Sequence, residues 1–413
     1  MFRHLICLRK EAGIATKAPK QALKFYKYQQ DMKVLVFVRK FNDATHTFIY
    51  NELQGLQSKD LQIKVVCTQR MFPERYPFPD VEVVPLSVPQ RFLANRLHQV
   101  GWRLNYRNTP LCKALNTIIE DFQPDIIHCH FGPDGLYFLD NYQGEGRPVF
   151  IHFHGFDASI MLKDKLYCQR LDEVFQRADV FPVFVSNFMF RNVVKHQIRV
   201  PNHFVLYYGT NTEFFTYSEE PASREKLVFL QISSLREKKG HPSTLRALAQ
   251  WSVQHPAQQW EFVMTGAGPE EETLRELAAS LGIADHLRFV GFVNSEEAKA
   301  LLAEAHLFLH HSVTGSKDGD MEGIPNAVME AMAMGLPVLS TWHSGIPELV
   351  EDGVNGFLVE EHHIEDYAKR LTEIMHWQRQ PKNREKVRSL FEQKQHATIL
   401  HGYYLQALNQ LMS

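Results

Sequence analysis

The stretch Asp318-Gly319-Asp320-Met321-Glu322-Gly323-Ile324-Pro325-Asn326-Ala327-Val328-Met329-Glu330 decides how the rest of the chain is read. Two carboxylates, Glu322 and Glu330, have seven residues between them. The first falls in a glycine-containing loop, and the second inside a helix that starts near Pro325. Proline is favourable at a first helical position, because the N–H it lacks would be unpaired there. Asn326 to Met334 are mostly good helix formers, and Gly335-Leu336-Pro337 stops the run. A carboxylate at the mouth of a helix and another deeper inside it can reach opposite ends of one polar ligand. A diphosphate fits between them, where free N–H groups and the helix dipole favour negative charge.

Outward from this stretch, short apolar runs alternate with helical patterns. Strands are predicted at Lys33–Val38, Gln62–Cys67, Val81–Val84, Asp125–His128, Pro148–Phe153, Val180–Val185 and His203–Tyr207. A second series follows at Leu227–Ile232, Glu261–Thr265, Leu287–Val290, His306–Leu309, Pro337–Thr341 and Gly356–Val359. Helices are predicted between several of them, including Phe48–Leu56, Leu111–Phe122, Asp164–Ala178, Phe188–His196 and His241–Gln254. Gly209 to Glu225 is polar, contains Pro221 and reads as a linker. The pattern predicts an α/β protein of two Rossmann-like domains, each a doubly wound parallel sheet, facing a cleft. A chain of 413 residues also exceeds what one core usually supports. The expected units are a basic extension over 1–31, domains over 32–212 and 226–390, and a C-terminal helix over 391–413 packing back on the first domain.

A hydrophobic share of 44% and a charged share of 22% are those of an ordinary soluble protein. A net charge of −2 argues against nucleic acid as a partner. Five cysteines without a Cys-x-x-Cys pair favour a reducing compartment over a disulfide framework or a zinc site. No apolar run reaches the roughly 18 residues of a membrane span, and the N-terminus has no signal-peptide core, so a cytoplasmic protein is expected. The first 31 residues carry Arg3, Arg9, Lys10, Lys17, Lys20, Lys24 and Lys27 against Glu11 and Asp31, with Phe25, Tyr26 and Tyr28 among them. Such a segment either contacts the inner membrane surface, making the protein peripheral, or is an extension ahead of a natural start at Met32.

The strand ends supply further candidates. One strand finishes in His128-Cys129-His130-Phe131-Gly132-Pro133 and the next in His154-Gly155-Phe156-Asp157. His130, His154 and Asp157 are expected to face one crevice. Neither pair has the spacing of a helix-borne zinc site, so no metal is expected there. In the second half, Arg236, Lys238 and Lys239 precede Gly240 at a strand-to-helix turn that suits a diphosphate. Gly266-Ala267-Gly268 makes a turn through which backbone can approach a nucleotide, a pattern that ordinary tight turns share. Asp318-Gly319-Asp320 resembles a metal-binding Asp-x-Asp, but its place beside Glu322 favours a loop role.

With these residues in view, the chain resembles the retaining nucleotide-sugar glycosyltransferases of family 4, which have the GT-B fold. The resemblance covers most of Met32 to Val359. It rests on Glu322-x7-Glu330, Gly335-Leu336-Pro337, Ser344-Gly345-Ile346-Pro347-Glu348 and Asp352-Gly353-Val354-Asn355-Gly356-Phe357-Leu358-Val359. Within the family it is most similar to bacterial exopolysaccharide enzymes of the colanic acid type, through His130-Phe131-Gly132-Pro133, His154-Gly155-Phe156-Asp157, Glu237-Lys238-Lys239-Gly240 and the loop from Ser312 to Pro325.

The resemblance implies metal-independent transfer, with retention, from a nucleotide-diphosphate sugar to a hydroxyl of a lipid-linked oligosaccharide. The second domain would bind the donor and the first would face the acceptor. Glu322 would hold the donor sugar and stabilise its reacting end, Glu330 the ribose hydroxyls, and Lys239 the diphosphate. The backbone of Gly323, Ile324 and Asn326, with Pro325 between them, would face sugar and phosphate. Phe292 and Val293 would line the base, with Gly266 and Gly268 nearby. His154 would stand near both substrates, and His130, Asp157, His46 and Thr47 on the acceptor side. Two positions depart from the family pattern. Ser234 replaces an arginine, leaving Arg236 to supply the second phosphate cation, and His46 replaces a glutamate in the N-terminal loop. They keep open a catalytically silent nucleotide-sugar-binding scaffold subunit, and a sugar-nucleotide epimerase of the same fold is the other alternative.

Overall fold

Apolar runs flanked by helices bury themselves as parallel strands covered on both faces. A computed structural model describes residues 31–41, 47–59, 61–84, 110–142, 144–219 and 224–412. The first sheet contains β1 (Lys33–Phe41), β2 (Gln62–Arg70), β3 (Val81–Val83), β4 (Ile126–His130), β5 (Val149–Phe153), β6 (Val180–Phe184) and β7 (Phe204–Val205), in the order β3-β2-β1-β4-β5-β6-β7. The second contains β8 (Lys226–Ile232), β9 (Gln259–Thr265), β10 (Leu287–Gly291), β11 (Leu307–His310), β12 (Val338–Thr341) and β13 (Gly356–Val359), in the order β10-β9-β8-β11-β12-β13. All pairings are parallel. The strand order reverses between β1 and β4 and again between β8 and β11. These are the switch points where open α/β sheets bind ligands.

Register fixes which side chains share a face. His130 of β4 pairs with His152 of β5, and His128 with Phe150, so the three histidines lie on one side of the sheet. The helix Thr47–Gln57 and the C-terminal helix Gln393–Met412 cover that side. Ala397, Leu400, Tyr404 and Leu408 share a core with Val34, Val36, Ile49, Leu53 and Phe150. Each buried leucine there contributes about 1.5–3 kcal/mol. The chain crosses back to the first sheet where Thr210 N–H donates to Phe391 O at 2.7 Å and Gln393 N–H to Thr210 O at 3.1 Å.

A second polar join links the sheets. Glu348, in the short helix Ile346–Leu349, accepts from the backbone N–H groups of Asn187 at 2.9 Å and Phe188 at 2.8 Å, and from the Tyr207 hydroxyl at 2.8 Å. Its charge sits at the positive end of the helix Asn187–Lys195. Among the described residues, no helix is long and apolar enough to cross a membrane. Residues 1–30 and His46 lie outside the described residues.

Candidate active site

The loop after β11 carries Glu322 to the cleft and holds it from three sides. The Glu322 N–H donates to His343 Nε2 at 3.1 Å, so the His343 proton sits on Nδ1, which donates to Glu361 Oε1 at 2.6 Å. The Ser344 hydroxyl donates to the Glu322 carbonyl. The side chain, 5% exposed, pairs with the Lys239 ammonium through Oε1 and lies 3.4 Å from His310 Nε2 through Oε2. Burial alone would raise this carboxyl, but Lys239 and His310 outweigh it and hold the group well below the usual carboxylate range. Pro325 forms the N-cap, and the helix runs over Asn326–Ala333. Glu330 has no side-chain partner among the described residues, and burial pushes its carboxyl up to about 7.

Lys239 reaches Glu322 from the turn Glu237–Lys239, which ends at Gly240 with φ 63°. A Cβ at Gly240 would stand 1.6 Å from His311 O, so both the left-handed backbone and the close approach require glycine. Lys238 pairs with Asp320 at 2.8 Å. Asp318 Oδ1 accepts from the Asp320 N–H at 3.0 Å, so the Asp-x-Asp segment is committed to its own loop and a lysine.

From the first sheet, the end of β5 presents His154 and Gly155. Asp157 was expected to face the crevice. It is fully buried and accepts from the N–H groups of His154 and Gly155, each at 2.9 Å, and of Gly132 at 3.0 Å. The tight turn leaves three backbone donors in need of an acceptor, and Asp157 ties the ends of β4 and β5 together. His130 was also expected in the crevice. It is fully buried, with its Nδ1 3.0 Å from His154 Nε2, because the face of β4 it occupies is covered by helices. His154 Nδ1 meets the Tyr208 hydroxyl at 2.8 Å. Both ring nitrogens of His154 therefore have protein partners, and it meets the cleft with its ring.

These loops enclose a cavity of about 260 Å³. Phe48, Phe131, His154, Gly155, Phe156 and Tyr208 form one wall; Lys238, Lys239 and Met321 to Asn326 form the other. Gly155, at φ 148°, lies against Met321 O, where a Cβ would stand 3.3 Å away. Sequence reasoning brought Glu322, Lys239, His154, Gly323, Ile324, Pro325 and Asn326 to this cavity. Lys238, read with Lys239 as part of a turn suited to a diphosphate, joins the wall as well. The aromatic side chains were missed, although Phe131, Phe156 and Tyr208 also sit at strand ends.

Other candidates fall elsewhere. Arg236 is exposed and does not line the cavity, because the turn aims Lys238 and Lys239 inward instead. A Cβ at Gly266 would meet Ser233 O, and one at Gly268 Leu235 O, each at 2.1 Å. The two glycines therefore let neighbouring backbones touch, a packing need that accounts for them without a nucleotide. Phe292, 57% exposed, lies under the Arg75 guanidinium at 4.6 Å, and Val293 is half-buried beside it. Thr47 opens the helix Thr47–Gln57, but its side chain, like His46, lies outside the described residues.

A cation, a carboxylate and a helix N-terminus around one cavity can stabilise negative charge on a departing group. Two Rossmann-like domains facing such a cleft define the GT-B class of glycosyltransferases. A glycosyltransferase from Rickettsia africae ESF-5 superposes with a TM-score of 0.71 at 15% identity, over 92% of this chain and 99% of that one. HepE from Anabaena, solved with UDP and glucose, gives 0.63 at 18% identity over 92% and 97%. Residues 45–214 match the family model Glycosyltransferase Family 4, and residues 214–389 match Glycosyl transferases group 1. WcaL of Salmonella typhimurium, named for colanic acid biosynthesis, is 31% identical over 375 residues, covering 83% of this chain and 90% of its own. The amylovoran biosynthesis glycosyltransferase AmsK of Erwinia amylovora is 42% identical over 153 residues, 37% of each chain. The chain belongs to the family 4 glycosyltransferases and is a transferase enzyme.

Proposed function

We propose that the protein transfers a sugar from a nucleotide diphosphate to a hydroxyl of a lipid-linked oligosaccharide, with retention at the anomeric carbon, in exopolysaccharide assembly. The pairing of Lys239 with Glu322 at the mouth of the helix Asn326–Ala333 carries this reading. When the donor enters, the Lys239 ammonium turns from Glu322 to the diphosphate, and the freed carboxylate takes the sugar hydroxyls. Glu330, without a side-chain partner among the described residues, accepts from the ribose hydroxyls. The anomeric C–O bond breaks with its electron pair going to the diphosphate oxygen. The acceptor oxygen bonds to the same face of the sugar and gives its proton to that leaving phosphate. Lys239 and the helix N–H groups balance the developing charge without a metal at the donor site. Asp320, the nearest alternative metal ligand, is held by Lys238.

The first domain faces the acceptor, with Phe48, Phe131 and Tyr208 offering apolar rings to its sugar. The names of WcaL and AmsK support the exopolysaccharide setting, and HepE with UDP supports a nucleotide-sugar donor. In this reading the enzyme works on the cytoplasmic face of the membrane, where the basic segment 1–31 holds it against anionic lipid. A thermal-shift panel of UDP, GDP and their sugars identifies the donor. Transfer to lipid-linked acceptor, with the product linkage read by NMR, then tests the reaction. Glu322→Ala and Lys239→Ala should each abolish transfer while keeping the wild-type circular dichroism spectrum. Near-normal turnover by both variants would end this reading, and an altered nucleotide sugar formed without acceptor would favour epimerisation instead.

A further inference from the structure

Behind the aromatic wall of the cleft lies a second cluster of ionisable groups, which the transfer reaction does not use directly. His128 and His130 stand two residues apart on β4, His152 lies beside them on β5, and the helix Thr47–Gln57 lowers Glu52 onto all three. Each of the four residues brings one donor atom to within 4.8 Å of the others, and none is more than 5% exposed. Glu52 Oε1 is 3.4 Å from His130 Nε2 and 3.8 Å from His128 Nδ1, and Oε2 is 3.5 Å from His152 Nδ1. These separations are long for charged hydrogen bonds, which run at about 2.7–2.9 Å. The His130 and His152 separations are near the donor-to-donor edge, about 3.4 Å, of a tetrahedron around an ion with bonds of about 2.0–2.1 Å, and one donor atom from each of the four residues lies within 4.8 Å of the others.

Two further observations point to an ion. Glu52 Oε1, His128 Nε2 and both ring nitrogens of His152 are buried without a hydrogen-bond partner among the described residues. Buried polar atoms are otherwise almost always paired. Around the cluster stands an outer layer that orients its members, as second-shell groups do for metal ligands. His396 Nε2 donates to Glu52 Oε2 at 2.9 Å, the Tyr404 hydroxyl meets His128 Nδ1 at 2.5 Å, and His154 Nε2 meets His130 Nδ1 at 3.0 Å.

We propose that Glu52, His128, His130 and His152 hold a divalent transition-metal ion, with Zn²⁺ the ion that best suits three imidazoles and a carboxylate in a closed four-ligand site. Buried on every side, the site leaves no position for substrate and is structural: it ties the helix Thr47–Gln57 to β4 and β5. It also reaches the cleft through one contact. An ion on His130 Nε2 places the His130 proton on Nδ1, where it donates to His154 Nε2, and so sets the orientation of the ring that faces the cavity.

The test uses the full-length chain, grown with zinc and purified without a histidine tag. Elemental analysis should find about one zinc per chain, the stoichiometry of a structural site. His128→Ala and His152→Ala should each lose most of it. Because either variant can fail to fold, wild-type protein stripped with a chelator is titrated with ZnCl₂ in parallel. Its melting temperature should rise and saturate at one equivalent, and X-ray absorption should show nitrogen and oxygen ligands alone. Wild-type protein that carries no transition metal and shows no thermal response to ZnCl₂ would overturn the proposal. So would a zinc content unchanged in folded His152→Ala, which would place the ion elsewhere. Neither outcome depends on the donor or acceptor of the transfer reaction.

Discussion

Glu52 and Glu322 are the same device in two domains, turned to different ends. Each is a buried carboxylate near the carboxyl edge of a parallel sheet, and each meets histidines from strand ends. Glu322 also has Lys239 and borders the cavity, whereas the side chains within 4 Å of the Glu52 carboxylate among the described residues are four histidines, His128, His130, His152 and His396. The Lys239 side chain remains 17% exposed and belongs to a short turn, so it can exchange its carboxylate for a phosphate. The histidines around Glu52 come from β4, β5 and the C-terminal helix and have nowhere to swing. In the proposed reading, a movable cation makes one cluster a substrate site, and fixed imidazoles make the other a brace.

The sharpest way to break that comparison is to neutralise each glutamate in turn. Glu322→Gln should lower kcat by about 10²–10³-fold, the scale of losing one group that stabilises transition-state charge. Its unfolding free energy should change little, because Lys239 can reach solvent. Glu52→Gln should instead lower the unfolding free energy by about 1–3 kcal/mol, the scale of leaving buried polar groups without their partner. Steady-state kinetics and denaturant titration of both variants give the four numbers needed. A Glu52→Gln protein as stable as wild type but without turnover would dissolve the contrast and place Glu52 in the chemistry, through His130 and His154.

Glu330 separates the two clusters by pH. Burial raises its folded-state pKa to about 7 from an ordinary 4.5, so the folded protein holds this proton more tightly than the unfolded chain. Its contribution to stability is therefore present below pH 4.5 and lost as pH rises through about 7. If ribose hydroxyls donate to the ionised form, as proposed, nucleotide-sugar affinity should weaken as pH falls below about 7, by up to about tenfold per unit. Calorimetric titration with a nucleotide sugar, whose diphosphate diester does not titrate there, should show this slope in wild type and a flat profile in Glu330→Gln. A slope that survives the substitution would assign the proton to another group.

Why the donor half of the cleft was easier to read than the brace follows from sequence distance. Glu322, Glu330 and the loop between them are contiguous, and Lys239 closes a turn whose glycine marks it. Glu52 sits inside an ordinary amphipathic helix, and its partner His396 is 344 residues away, so no local pattern joins them. Period and composition placed the strands within a few residues, as with Gly356–Val359. They missed the helix Gly132–Asn141, because Gly132-Pro133-Asp134-Gly135 reads as a turn. Those glycines serve packing: a Cβ at Gly132 would meet the Tyr167 hydroxyl at 2.1 Å, and one at Gly135 would meet Ile151 at 2.6 Å. Asp157 and His130 show the remaining gap, since a strand end can be located from sequence while the face its side chain takes depends on which helices cover the sheet.

The smallest expected effect tests where metal chemistry belongs. Asp318 is exposed, and among the described residues its side chain accepts only the Asp320 N–H, a bond that Asn can also accept. Asp318→Asn should therefore leave turnover within about twofold of wild type, the scale of an ordinary surface change. Assays with and without added Mn²⁺ check this directly. A loss of about tenfold or more, reversed by Mn²⁺, would mean that an ion at this loop balances the diphosphate in place of Lys239. The lysine of the Glu322 cluster would then be a loop anchor like Lys238, and the distinction between a substrate cluster run by a movable cation and a structural cluster built for an ion would fail at its first term.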